Sequence, residues 1–132
     1  QGSTRAPQWT GGGVVFAPVP RAYSFKINKK EKRAALKSAL TSRVQDQKFV
    51  VLDELKLDAI KTKDFVKVLN NLKVSKALVV LGDRDMIVEK SAANVPDVKT
   101  AQVSSINVYD ILKYDTVITT KAGVEKIEEV YA

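Results

Sequence analysis

ALVVLG, residues 77–82, is a run of five apolar residues that ends at a glycine. A short apolar run with such boundaries is typical of a strand buried inside a sheet. FVVL, residues 49–52, is bounded by charged residues and predicts another strand that is buried on both faces. Runs at 98–103, the weakest of the set, and at 116–119 predict two further strands.

Helical patterns separate these strands. Between the first two, Thr62 is predicted to cap a helix that carries Phe65, Leu69 and Leu72 on one face. Three more helices are predicted: one from about Asp85 to Asn94, stopped near Pro96; a short one begun by Asn107; and a last one capped by Thr120, with Val124, Ile127 and Tyr131 on one side. The crossovers are long enough for parallel pairing, so the pattern predicts an α/β fold, a three-layer α/β/α sandwich with a four-stranded parallel sheet.

The first helix precedes the first strand and has a clear start. Asn28 and Glu31 have the spacing of a capping box, and the helix is predicted to run to about Asp46. Its predicted apolar stripe contains Leu36, Leu40 and Val44, with Ala35 and Ala39 beside them.

Cations line one flank of the same helix, because Lys30, Arg33 and Lys37 follow one another at positions i, i+3 and i+7. They are either ordinary solvated lysine and arginine side chains or part of a surface that binds RNA. The segment directly upstream favours the RNA surface.

That upstream segment, residues 1–27, is unsuited to a globular core. It contains the only Trp of the chain, Trp9, then Gly11, Gly12 and Gly13, and later Pro18 and Pro20. Consecutive glycines cost backbone entropy when they become ordered, and prolines remove hydrogen-bond donors. We predict an extended N-terminal loop arm over residues 1–27 and a globular α/β domain over residues 28–132.

The charge distribution separates these two parts as well. Residues 1–48 carry ten basic side chains against Glu31 and Asp46, a net charge of +8, whereas the remaining 84 residues carry twelve basic and thirteen acidic side chains, a net charge of −1. A near-neutral body with a strongly basic appendage indicates a nucleic-acid or anionic-membrane partner. RNA is favoured over a membrane, because the apolar face of the first helix is small and rich in alanine. A merely solvated charge run remains the alternative.

Composition excludes several kinds of chemistry. The chain contains neither Cys nor His, so disulfides, thiolate metal sites and histidine-based catalysis are absent. No apolar run approaches the roughly 20 residues that span a bilayer. The triple glycine matches neither the dinucleotide fingerprint nor the Walker spacing, and is better suited to a close approach of the backbone to another surface. Trp9 is predicted either to stack on an unpaired base or to anchor the arm on the domain.

The ends of the predicted strands carry the one candidate for enzymatic chemistry. Asp53, Asp83 and Lys121 follow three strands whose carboxyl ends meet at one edge of a parallel sheet, where they could hold Mg²⁺ and a phosphoryl group. The alternative is that polar residues such as Asp85 collect there because the following helices need caps. No motif ties these residues together, so we expect no enzyme activity, no catalytic residue, no metal site and no cofactor.

The whole chain resembles a known family. QGSTRAPQWTGGGVVFAP, the following NKK and RAALKSAL, then FVVLDEL, ALVVLGD, INVYDILKYD and TKAGVEKIEEVYA resemble the bacterial large-subunit ribosomal protein L-four family. The resemblance implies a four-stranded parallel sheet with helices on both faces, and a long loop that penetrates the ribosomal RNA and reaches the peptide exit tunnel. It also implies an N-terminally truncated sequence that lacks the outgoing arm and most of the Gly/Arg-rich tip.

The resemblance implies a structural role in the large subunit and in its assembly. The implied partners are large-subunit ribosomal RNA, neighbouring ribosomal proteins and the messenger RNA of the protein's own operon, in the cytoplasm, with no membrane partner and no homo-oligomer. A module whose arm inserts into a protein partner is a third hypothesis. The predicted RNA-binding residues are Arg5, Gln8, Trp9, Gly11, Gly12, Gly13, Arg21, Lys26, Asn28, Lys29, Lys30, Arg33 and Lys37.

Overall fold

The computed structural model describes residues 2–131. Gln1, the first residue of the predicted arm, and Ala132, the last residue of the predicted domain, lie outside the described residues. The elements in chain order are α1 (Lys29–Gln45), β1 (Phe49–Leu52), α2 (Thr62–Asn71), β2 (Ala77–Leu81), α3 (Met86–Ala92), β3 (Val98–Gln102), a 3₁₀ turn (Val103–Ser105), α4 (Val108–Lys113), β4 (Thr116–Thr120) and α5 (Lys121–Tyr131).

The four strands form one parallel sheet in the order β1-β4-β2-β3. The last strand, β4, is inserted between the first two, so that Val117 is paired with Phe49 on one side and with Leu78 on the other. The chain passes from β1 to β2 and on to β3 at the far edge of the sheet, and then returns to place β4 between β1 and β2. This confirms the predicted four-stranded parallel sheet.

Helices cover both faces of the sheet. Successive residues of a strand point to opposite faces, and in β2 the side chains of Leu78 and Val80 join a core beneath α1, α4 and α5, whereas Val79 and Leu81 join a core beneath α2 and α3. All five residues of β2 are buried. The predicted three-layer α/β/α sandwich is therefore confirmed.

Three local predictions are wrong. β1 is an edge strand, so the side chain of Val51 is 46% exposed and the strand is not buried on both faces. Val44 is 58% exposed in the last turn of α1, because it lies beside an open groove between α1 and α5 and not over the sheet. Lys61, and not Thr62, occupies the N-cap position of α2, because the chain becomes helical one residue earlier than predicted.

The other predicted caps are confirmed. The carboxylate of Asp85 accepts hydrogen bonds from the backbone N–H groups of Ile87 at 2.9 Å and Val88 at 3.2 Å. Asn107 Oδ1 accepts from the N–H of Asp110 at 2.7 Å, and Thr120 Oγ1 accepts from the N–H of Gly123 at 3.2 Å. Such local bonds satisfy the unpaired donors of a helix start.

Two long-range contacts tie together elements on the face of the sheet that α1, α4 and α5 cover. The Arg43 guanidinium donates to the carbonyl oxygens of Ile111 at 3.0 Å and Leu112 at 3.1 Å, which ties α1 to the end of α4. The Tyr131 hydroxyl donates to the carbonyl of Val103 at 2.8 Å, and burial raises the pKa of this tyrosine. Within residues 2–131, no helix has the length and apolarity needed to cross a bilayer.

Candidate nucleic-acid interface

Residues 2–28 form the segment that leads into α1, and they contain turns and bends but neither helix nor strand. These residues are exposed, apart from Ala6 and Gly12, which are half-buried. Asn28 ends the segment with an extended backbone, and its N–H donates to the Glu31 carboxylate at 3.4 Å, as the predicted capping box requires. The division into an arm and a domain between residues 27 and 28 stays a prediction.

Backbone hydrogen bonds close a compact turn within this segment. The N–H of Trp9 donates to the carbonyl of Ala6 at 3.0 Å, and that of Gly12 donates to the carbonyl of Trp9 at 2.9 Å. The N–H of Gly13 then donates to the carbonyl of Arg5 at 2.9 Å and closes the turn. The turn therefore holds Arg5, Trp9 and the three glycines in one unit.

The three glycines have different roles in the turn. A Cβ atom on Gly12 would lie 2.0 Å from the carbonyl oxygen of Ala6, so no side chain fits there. Gly11 has φ of +79°, a left-handed conformation that glycine adopts at low cost. A Cβ atom on Gly13 would meet only the carbonyl of Arg5, at 3.5 Å, an ordinary contact. The close approach at Gly12 is thus made to the segment's own backbone.

Gly12→Ala is expected to open this turn, because the added methyl group cannot coexist with the Ala6 carbonyl. We expect the fluorescence emission of Trp9, the only Trp of the chain, to change while the free energy of unfolding changes by no more than a surface substitution usually causes, about 0.5 kcal/mol. Gly13→Ala is the matched control and should leave both signals unchanged. Equal spectra for the two variants would show that the turn does not depend on Gly12.

Trp9 is half exposed and lies within the segment. It lines a shallow cavity of about 410 Å³ together with Gly2, Ser3, Thr4 and Thr10. All the residues that line this cavity belong to the segment itself, so the cavity is not an anchor on the sandwich. This position favours a Trp9 that is available to a partner over one that is docked on the domain.

The exposed face of α1 continues the charge of the segment. Lys29, Lys30, Arg33 and Lys37 are exposed, whereas Leu36 is 5% exposed and belongs to the core that contains Leu78 and Val80 of the sheet. The cations that the helix spacing predicts on one flank therefore point to solvent.

These cations are also uncompensated. Within residues 2–131 the structure has six ion pairs, and all of them involve residues between positions 53 and 126. None of the ten basic side chains of residues 1–48 forms an ion pair with another described residue, although Arg43 is bound to two carbonyl oxygens. Six of the twelve basic side chains of residues 49–132 take part in these ion pairs, and that part of the chain has a net charge of −1, so the excess positive charge lies in the segment and in α1.

Besides Phe16, which is 93% exposed, two exposed aromatic side chains of this region are not among the predicted RNA-binding residues. Tyr23 is 80% exposed and Phe25 is 84% exposed, and the Arg21 guanidinium lies 4.4 Å from the centroid of the Tyr23 ring. The signal that could have found them is the placement of aromatic residues between Arg21 and Lys26.

Of the predicted alternative site at the strand ends, the structure brings Asp53 and Lys121 together as an ion pair, whereas Asp83 is paired with another lysine. Asp53 is paired with Lys121 at 2.6 Å, and Asp83 is paired with Lys126. Asp85 caps α3, as the alternative explanation requires. Within residues 2–131, no three acidic side chains come close enough together to hold a metal ion.

The backbone also fills the crevice at this edge of the sheet. A Cβ atom on Gly82, at the end of β2, would lie 3.3 Å from the Cα atom of Gly123 in α5. The residue after β2 and the first turn of α5 therefore approach each other at the carboxyl edge of the sheet, where an α/β enzyme would place its ligand. The arrangement gives the magnesium hypothesis no support.

Comparison with known proteins adds a family. The model of the ribosomal protein L4/L1 family matches residues 1–130. Over 132 residues, the chain is 74% identical to the large ribosomal subunit protein uL4 of Agathobacter rectalis and 65% identical to that of Lachnoclostridium phytofermentans. Each alignment covers 100% of this chain and 64% of the relative, so the chain spans 64% of the length of these relatives.

Proposed function

The chain belongs to the ribosomal protein L4/L1 family, and from this premise we propose that it is a structural constituent of the large ribosomal subunit. It binds ribosomal RNA through residues 2–28 and the exposed face of α1, and it catalyses no reaction. The observation that carries this proposal is the charge of residues 1–48, a net +8 of which no part is neutralised by ion pairs among the described residues.

The proposed mechanism is phosphate neutralisation. Each cation that contacts a phosphate releases condensed counterions, and this release supplies sequence-independent affinity. Seven cations serve this purpose in our proposal: Arg5, Arg21, Lys26, Lys29, Lys30, Arg33 and Lys37.

Shape and hydrogen bonding add to charge in this proposal. The closed turn presents the exposed backbone of Gly11 and Gly13, where no side chain keeps RNA at a distance. Gln8, Trp9 and Asn28 are exposed beside the cations and offer amide groups and one indole ring. Gly12 makes the turn possible and, in this proposal, contributes its backbone to the surface that meets RNA.

The identity of the relatives supports the wider role. They are large ribosomal subunit proteins, and for this chain we propose the same assembly, with neighbouring ribosomal proteins as further partners, in the bacterial cytoplasm. The proposal also includes a role in subunit assembly and in the wall of the exit tunnel. It further includes binding to the messenger RNA of the protein's own operon, and a monomeric state outside the ribosome.

A binding measurement tests the proposal. The chain is titrated with a large-subunit ribosomal RNA transcript at two salt concentrations, with transfer RNA as competitor. We expect binding that survives the competitor and a salt slope of roughly −5 to −6, because seven phosphate contacts contribute about 0.7 to 0.9 each. Binding that the competitor abolishes would reduce the interaction to charge alone and contradict specific recognition.

The salt slope also separates RNA from a protein partner. Protein contacts release few counterions, so a module whose arm inserts into a protein would show weak salt dependence. A slope near zero would therefore favour that hypothesis over ours.

A further inference from the structure

The chain segment between the turn and α1 carries aromatic rings that no part of the fold covers. Tyr23 and Phe25 are 80% and 84% exposed, although Tyr and Phe side chains ordinarily lose most of their exposed area on folding. Neither residue belongs to the two cores of the sandwich. Two exposed rings, separated by one residue in the sequence, leave apolar area that a partner can cover.

The charges around these rings indicate the chemistry of the occupant. Arg21 and Lys26 lie on either side in the sequence, Lys29 and Lys30 follow within one helical turn, and all four are exposed. From Arg21 to Lys30 the chain contains no acidic residue. A partner that is apolar on its faces and negatively charged along its backbone fits this surface, and unpaired nucleotides have both properties.

The contact between Arg21 and Tyr23 supports the same occupant. The guanidinium carbon lies 4.4 Å from the ring centroid, a cation–π distance. The guanidinium thus lies over one face of the ring, and because Tyr23 is largely exposed, the remainder of the ring is accessible. A guanidinium placed on a ring offers a donor to a phosphate beside a stacking surface for a base.

We propose that Tyr23 and Phe25 stack on unpaired bases of the bound RNA, so that this part of the surface selects single-stranded RNA over duplex RNA. The inference rests on the proposed function, because it specifies which RNA structure the positive surface receives. Stacking is tolerant of sequence, since every base has a flat face, and it acts together with the cations of α1.

The test compares three double variants of the full chain with the wild type for binding to a large-subunit ribosomal RNA transcript. Tyr23→Ala with Phe25→Ala is expected to weaken binding roughly tenfold or more with an unchanged salt slope, because rings are lost but no cation is lost. Tyr23→Leu with Phe25→Leu is expected to weaken it equally, because leucine is apolar but cannot stack. Tyr23→Phe with Phe25→Tyr is expected to keep the wild-type affinity.

A matched control uses another exposed tyrosine. Tyr109 on α4 is 70% exposed and has Lys113 Nζ 5.8 Å from its ring centroid, so it resembles Tyr23 in exposure and in its cation. Tyr109→Ala should leave RNA binding unchanged. Ultraviolet crosslinking of the wild-type complex should place crosslinks to the RNA at residues 23 and 25 and not at residue 109.

The outcomes separate this inference from the function on which it rests. If the wild-type chain binds the transcript specifically and the double alanine variant binds it with the same affinity, the stacking proposal is wrong and the proposed function stands. If the leucine variant binds as the wild type while the alanine variant does not, apolar packing replaces stacking and a neighbouring protein is the better occupant. A wild-type chain that does not bind the transcript contradicts both.

Discussion

Reversal of three cations on α1, Lys29→Glu with Lys30→Glu and Arg33→Glu, is expected to weaken binding to large-subunit ribosomal RNA about a hundredfold or more near physiological salt. The triple variant loses three positive charges and places three negative charges against the phosphates. Because each phosphate contact contributes about 0.7 to 0.9 to the salt slope, we expect the slope to fall by about two to three. Titration at several salt concentrations measures both quantities.

The fold should tolerate this change. All three side chains are exposed, and none of them takes part in an ion pair within residues 2–131. Surface substitutions of this kind usually change the free energy of unfolding by about 0.5 kcal/mol or less each. The circular dichroism spectrum and the cooperativity of thermal unfolding should therefore match those of the wild type.

A control of equal charge separates a local contact from net charge. Lys63→Glu with Lys76→Glu and Lys90→Glu changes the net charge by the same amount, on exposed side chains outside the proposed surface. We expect this variant to bind far better than the α1 variant. If the two variants lose affinity equally, net charge alone governs binding; if the α1 variant keeps its affinity and slope, the helix flank is not the site.

Phe65→Ala is expected to destabilise the sandwich by about 3 to 5 kcal/mol, the usual cost of removing a buried aromatic ring. Phe65 lies on α2, is 1% exposed and packs in the core that contains Leu69, Val79, Val88 and Ile118. For a chain of this length, that loss corresponds to a melting temperature lower by roughly 10 to 20 °C. Calorimetry or thermal circular dichroism measures it.

The same substitution in the N-terminal segment provides the control. Phe16 is 93% exposed, so Phe16→Ala removes a ring that packs against little and should leave the melting temperature nearly unchanged. The contrast tests whether the segment contributes to the stability of the sandwich. A large drop for Phe16→Ala would mean that the segment packs on the domain, which would contradict the predicted division at residue 27.

Local signals in the sequence determined the secondary structure well. The run ALVVL at residues 77–81 is a buried strand, and Asp85, Asn107 and Thr120 cap the helices that follow them. These features depend on a few neighbouring residues, which is why periodicity and capping chemistry reveal them. The distribution of charged residues along the sequence likewise located the positive charge in residues 1–48.

The place of each strand in the sheet was decided only by the tertiary structure. Two apolar runs, FVVL and ALVVL, look alike in the sequence, yet β1 lies at an edge with Val51 half exposed and β2 is buried throughout. The difference arises because β2 pairs with both β3 and β4, whereas β1 pairs only with β4, the last strand in the chain. Strand order depends on crossovers between distant segments, and no local pattern encodes it.

The sequence by itself determined that this protein is an α/β sandwich with a strongly basic N-terminal part. Only the tertiary structure decided which charges are free to meet a partner. Asp53 and Asp83 could have formed a metal site, but folding brings Lys121 and Lys126 to them from more than 40 residues away. The cations of the segment and of α1 receive no such partner among the described residues. Ion pairing depends on distances in the folded chain, and therefore only the fold separates a neutralised charge from one that stays free to meet a partner.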